Sequence, residues 1–220
     1  MVRAVVFDLW QTLAVWPEDK SAALRRTWSE ALDVPVERIE ELWFGADFYR
    51  VRETGPIASA ISTLYEALGV SGSVEKMVSL RVDLTREALV PVPGAISTLK
   101  ALRERQIATG LISNCTEEVA LVWEETPFAG LFDVAVFSAT ARCMKPDSEI
   151  YELALAELGV PASDTLFVGD GANDELRGAA SVGMTPVLVH EDGREPAWPS
   201  VRGWTGLRVT SIPQVLDLIA

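Results

Sequence analysis

The stretch Arg3–Leu13 reads RAVVFDLWQTL. Ala4 to Phe7 are small or apolar and largely β-preferring, which predicts a buried strand. Asp8 follows at once, and Thr12 lies four residues after it. Open α/β sheets place their chemistry at the carboxyl ends of strands. Asp8 is therefore the candidate nucleophile, and the rest of the chain is read as its surroundings.

The chain has 220 residues, which suits one core domain carrying an insertion. Nearly half of it is apolar, enough for a sizeable core. A net charge of −13 argues against a nucleic-acid or anionic-membrane surface, while leaving room for one basic pocket. Two cysteines, Cys115 and Cys143, suggest a reducing compartment and no disulfide framework. There is no signal-peptide pattern and no apolar run of the ~20 residues needed to span a membrane. A soluble cytoplasmic protein, monomer or homodimer, is expected.

Downstream of Trp16-Pro17 no strand is predicted until about residue 90. Helical segments are expected at Ser21–Leu32, Val36–Arg52, Ile57–Leu68 and Val74–Leu89, separated at Val34-Pro35, Gly55-Pro56 and Gly69–Gly72. Residues 16–90 thus read as an inserted helical bundle. From 91 the pattern alternates. A helix from about Gly94 precedes the strand IATGLISN, and another helix from Thr116 precedes FDVAVFS. Lys145 and a helix lie in MKPDSEIYELALAELGV. A strand, an acidic turn and a helix follow in DTLFVGDGANDELRGAASVGM. TPVLVH is a further strand, Glu191–Gly206 a Pro-, Gly- and Trp-rich loop, and LRVTS with IPQVLDLIA a last strand and helix. Alternation of this kind predicts a doubly wound α/β core of residues 1–15 and 91–220, with a parallel sheet covered on both faces.

The strand ends would gather Asp8, Ser113-Asn114, Lys145, Asp170 and Asp174 at one edge of that sheet. Three carboxylates there repel one another unless a cation joins them. Asp8, Asp170 and Asp174 with one lysine suit Mg²⁺, which prefers carboxylate oxygen and water. Metal and lysine together would neutralise an incoming phosphoryl group, with Ser113 donating a hydrogen bond to it. An aspartate nucleophile forming an aspartyl-phosphate is an established form of covalent catalysis.

The order of these residues resembles the haloacid dehalogenase-like hydrolase superfamily. Its four motifs match FDLWQTL with Asp8, LISN with Ser113, KPDSEIY with Lys145, and VGDGANDEL with Asp170 and Asp174. The insertion resembles the helical cap of the subfamily that includes phosphoglycolate phosphatase and the 2-haloacid dehalogenases. The resemblance implies a Rossmann-like core, with Asp8, Ser113 and Lys145 as catalytic residues. It implies Mg²⁺ on Asp8, the Trp10 carbonyl, Asp170 and Asp174. The substrate, a small phosphorylated metabolite, would lie against Trp10, Ser113, Asn114 and Lys145.

One departure stands out. Phosphatases of the family usually read Asp-x-Asp-Gly-Thr, and here Trp10 and Gln11 replace the second Asp and the Gly. That Asp normally protonates the leaving group and then activates water. The dehalogenase branch has an aromatic residue at this point but lacks the acidic fourth motif. The alternatives are therefore 2-haloacid dehalogenation, or binding of a phosphorylated ligand or partner with little turnover.

Other residues carry plainer readings. Arg25, Arg26, Arg50 and Arg52 read mostly as solvated cap residues, of which one can hold a substrate anion. Trp10 reads as packing between cap and core, and Cys115 as a small buried residue. His190 reads as structural, and Trp198 and Trp204 as a cover for a sheet edge.

Overall fold

The computed structural model describes residues 1–191 and 197–219. Six strands form one parallel sheet: β1 (Ala4–Phe7), β2 (Ala108–Ser113), β3 (Val134–Phe137), β4 (Thr165–Gly169), β5 (Thr185–Val189) and β6 (Leu207–Val209). Their spatial order is β3-β2-β1-β4-β5-β6. The chain winds outward from β1 in both directions, so the switch point lies between β1 and β4. Their carboxyl ends lead directly into Asp8 and Asp170.

Alternation along the strands divides the core into two layers. Val5 and Phe7 of β1, with Leu166 and Val168 of β4, face one layer. Leu99 and Leu102 of α6 (Ala95–Glu104) and Val215 of the closing 3₁₀ turns (Ile212–Leu218) complete it. Val6 and Phe167 face the other layer, against Ile150, Tyr151 and Ala154 of α9 (Ser148–Leu158) and Leu176 and Ala179 of α10 (Glu175–Ser181). Every residue of β1 is fully buried, as befits a strand covered on both faces.

Between β1 and α6 lie five helices: α1 (Glu18–Leu32), α2 (Val36–Trp43), α3 (Ala46–Glu53), α4 (Ile57–Leu68) and α5 (Val74–Ala88). They enclose a core of their own around Trp28, Ile39, Trp43, Ile61, Leu64 and Met77. Each fully buried large apolar side chain stabilises it by about 1.5–3 kcal/mol. The single helix expected over Val36–Arg52 is two, because the chain turns at Phe44-Gly45. A Cβ on Gly45 would meet the Glu41 carbonyl at 3.1 Å, so a side chain there fits only if the backbone gives by a few tenths of an ångström. We call this helical unit the cap.

Smaller differences lie in the core. The helix expected from Thr116 is only α7 (Glu118–Val122) and a 3₁₀ turn, and α8 (Ser138–Ala141) is one further short turn. The helix expected at the carboxyl end is 3₁₀, entered through Pro213. Part of the loop expected at 191–206 lies outside the described residues, as does Ala220. No helix among the described residues is long and apolar enough to cross a membrane.

Candidate active site

The Asp8 N–H donates to the Val168 carbonyl at 2.8 Å, which ties the residue after β1 to β4. Thr12 Oγ1 donates to Asp8 Oδ2 at 3.0 Å, the reason for the four-residue spacing. The chain reverses between them through Gln11, whose φ is +61° and whose N–H donates to the Ala14 carbonyl at 2.7 Å. The turn that glycine would make is therefore kept by a residue with a Cβ, at a steric cost of about 1–2 kcal/mol.

Lys145 reaches Asp8 from the loop after β3. Its Nζ donates to Asp8 Oδ1 and, at 2.6 Å, to Glu175 Oε2. Burial opposes the ammonium charge, but the Asp8 and Glu175 carboxylates outweigh it and hold Lys145 above its ordinary pKa. Asn114 fixes the lysine backbone: its Nδ2 donates to the Lys145 carbonyl and its Oδ1 accepts from the Lys145 N–H.

Glu175 is the residue that reading by motif missed. It is fully buried at the start of α10, and its Oε1 accepts from the Gly171 N–H at 3.0 Å. A Cβ on Gly169 would sit 2.1 Å from Glu175 Oε1, so the last residue of β4 must be glycine for this carboxylate to enter. Gly171, at φ +89°, makes the turn that follows. Burial, then the Asp8 charge, pushes the Glu175 carboxyl upward. Asp174, the neighbour expected to ligate metal, is exposed and lies 3.6 Å from Arg177 Nη1. Helix phase decides between them. The inward residues of α10 are Glu175, Leu176, Gly178 and Ala179, and Asp174 stands just before its first turn. That phase was available in the apolar pattern of LRGAA.

Oxygen atoms of Asp8, Asp170 and Glu175 lie within 4.8 Å of one another. Three hard oxygen donors at that spacing fit Mg²⁺, with Glu175 in the place expected for Asp174. Burial, and next the Asp8 charge, raises the Asp170 pKa. Trp198 Nε1 donates to Asp170 Oδ2 at 2.7 Å. Trp198 thus belongs to the site and is not a simple edge cover, whereas Trp204 packs against the layer that contains Val6.

The cap supplies the opposite wall of a cavity of about 240 Å³. Asp8, Trp10, Asn114, Lys145, Asp170 and Glu175 line it from the core. Trp43, Phe44, Tyr49, Arg52, Glu53 and Arg81 line it from the cap. Ser113 is fully buried behind the wall and does not line the cavity. Trp10 is half-buried there, edge-on to Trp16 at 4.9 Å. Arg81 donates to Glu118 of α7 and to Thr116 Oγ1, Arg50 pairs with Asp147 at 2.7 Å, and Asn173 donates to the Tyr49 hydroxyl at 3.0 Å. These contacts hold the cap closed on the core.

Not all the cap arginines are solvated. Arg26 is exposed, but Arg25 is buried between Glu18 and Glu40. Arg52 is 8% exposed, its guanidinium 4.9 Å from the Tyr49 ring and 5.0 Å from the Trp43 ring. Its Nη1 lies 3.1 Å from Glu53 Oε1. The spacing of these residues carried no sign that they enter the site, because the contact joins segments far apart in the chain.

Residues 2–183 match the family model for haloacid dehalogenase-like hydrolases, and the chain belongs to that family. It is 30% identical over 202 residues to a ribulose-1,5-bisphosphate 5-phosphatase of Halopiger xanaduensis, covering 86% of this chain and 84% of that one. It is also 30% identical over 139 residues to the pyrimidine 5'-nucleotidase YjjG of Escherichia coli, a match spanning 61% of this chain and only 60% of that protein. A 2-haloacid dehalogenase from Pseudomonas syringae pv. Tomato superposes with a TM-score of 0.73 at 21% identity, over 100% of this chain and 98% of that one. It shares the fold.

Proposed function

We propose that this member of the haloacid dehalogenase-like hydrolase family is a Mg²⁺-dependent phosphatase of a small phosphorylated metabolite, acting in the cytoplasm. The observation that carries the reading is Asp8, held between Thr12 and Lys145 beside two further buried or half-buried carboxylates at the switch point of the sheet. Asp8, the Trp10 carbonyl, Asp170 and Glu175 would hold the ion. When bound, it supplies positive charge against the phosphoryl oxygens.

Thr12 and Lys145 fix the Asp8 carboxylate so that one oxygen faces the phosphorus and attacks it. Lys145 neutralises charge on the phosphoryl group as the bond to the leaving oxygen lengthens. Asn114 keeps that ammonium in place through the lysine backbone. The closed cap excludes water during the first transfer. A cavity of this size, below the ~300–1,000 Å³ of drug-sized sites, favours a small ester. Both relatives compared by sequence are named as phosphate-releasing enzymes, which supports the class. The acidic cluster disfavours 2-haloacid dehalogenation, because three neighbouring carboxylates would repel a departing halide.

A panel of alkyl phosphates, acyl phosphates and 2-halo acids, each with Mg²⁺ and with chelator, tests the reading. Phosphate release that stops on chelation and returns with Mg²⁺ is expected, and Asp8→Asn should abolish it. Halide release without metal, or binding without product across the panel, would replace it.

A further inference from the structure

We propose that Glu53 of the cap is the general acid and base that the core loop lacks at Trp10. This rests on the phosphatase reading above. The Trp10 side chain can neither give nor take a proton at the leaving oxygen, so an alkyl ester needs another group. Five carboxyls line the cavity, and four are committed elsewhere or open to water. Asp8 is the nucleophile, and Asp170 and Glu175 belong to the oxygen cluster. Glu18 stands at the mouth with its side chain 67% exposed, paired to Arg25. Glu53 remains: the last residue of α3, 5% exposed, on the cap side of the cavity that Asp8 and Lys145 line from the core.

Its surroundings mix both signs, with Arg52 Nη1 3.1 Å from Glu53 Oε1. Arg52 of its own helix and Arg81 of α5 face it, and so do Glu118 of α7, Tyr49 and the Cys115 thiol. Burial raises the Glu53 pKa, and Glu118 adds to the rise; Arg52 and Arg81 oppose it without cancelling it.

The steps balance. An Asp8 oxygen bonds to phosphorus, the bond from phosphorus to the leaving oxygen breaks, and that oxygen takes the Glu53 proton to leave as an alcohol. The Glu53 carboxylate then takes a proton from water. The water oxygen bonds to phosphorus, the bond from phosphorus to Asp8 breaks, and phosphate leaves with Glu53 again protonated. The acid comes with the cap, so it is in place when the site is closed.

The experiment compares Glu53→Gln with the parent on an alkyl phosphate and on p-nitrophenyl phosphate, whose leaving group departs unprotonated. We expect kcat/KM to fall about 10²-fold on the alkyl ester and to change less than ~3-fold on the nitrophenyl ester. Trp10→Asp in the Glu53→Gln background should restore part of the alkyl rate. Equal loss on both esters, or no loss on the alkyl ester, overturns the proposal. If Glu53→Gln does not fold, the parent protein still decides. Its kcat on the alkyl ester should fall at high pH as the acid ionises, and its kcat on the nitrophenyl ester should not; a shared profile overturns the role. A parent that hydrolyses neither ester defeats the phosphatase reading itself, which is a different failure.

Discussion

The side-chain amide of Asn114 clasps the main chain of Lys145. Nδ2 donates to its carbonyl and Oδ1 accepts from its N–H, each at 2.8 Å. Two strands' ends are joined by this pair: Asn114 directly follows β2, and Lys145 stands in the loop after β3. Lys145 is therefore held through its backbone by one amide and through its ammonium by Asp8 and Glu175.

Asn114→Ala removes both backbone bonds. Leaving those groups without partners should cost about 2 kcal/mol, lowering Tm by roughly 4–8 °C in a chain of this size. A displaced lysine should also lower kcat by at least ~10-fold. Melting and steady-state kinetics measure the two effects. A lower Tm with unchanged kcat would show that the clasp is structural and does not position the ammonium.

Asp174 and Glu175 are adjacent in sequence and differ in place. Glu175→Gln should reduce turnover by about 10²-fold or more, because it removes a charge that Lys145 and the oxygen cluster share. Asp174→Asn should leave kcat within ~3-fold, since its carboxylate faces solvent and Arg177. Kinetics on the two variants separate the assignments, and the opposite ranking would return the ligand role to Asp174.

The Gln11 turn predicts a stability order. Gly at φ +61° should be at least as stable as Gln, whereas a β-branched Val there should cost about 1–2 kcal/mol relative to wild type. Chemical denaturation of Gln11→Gly and Gln11→Val measures this. Equal midpoints for the two variants would mean that the turn relaxes away from positive φ.

Both cysteines are buried, and burial raises each thiol above its ordinary pKa, Cys115 most strongly. Thiolate is the reactive form. A disulfide reagent at pH 8 should therefore label neither thiol in the native protein and both after unfolding. Rapid labelling of the folded chain at Cys115 would show that the cavity opens to the reagent from that side.

Much of the architecture was legible along the chain, because local patterns carry it. The apolar run Ala4–Phe7, with similar runs in β2 and β4, reads as a strand buried on both faces, and the helices between such runs point to a parallel sheet. Once the strands are parallel, Asp8, Asn114, Lys145 and Asp170 share one edge for geometric reasons. The cap was legible as helices from their spacing, but its turn at Gly45 depends on a close approach between backbone atoms that spacing does not express.

Tertiary structure decided most of what meets what. Glu175 enters the site instead of Asp174 because the buried face of α10 sets the direction of its first turn, and because Gly169 leaves room beneath it. Trp198 bonds Asp170 across a separation that no periodicity spans. Arg52 and Glu53 look like ordinary helix charges until the cap closes and takes them out of water. Local sequence specifies the strands and helices and the order in which they follow one another. The chemistry of a site closed by a separate helical unit depends on contacts between distant segments, and only packing determines those.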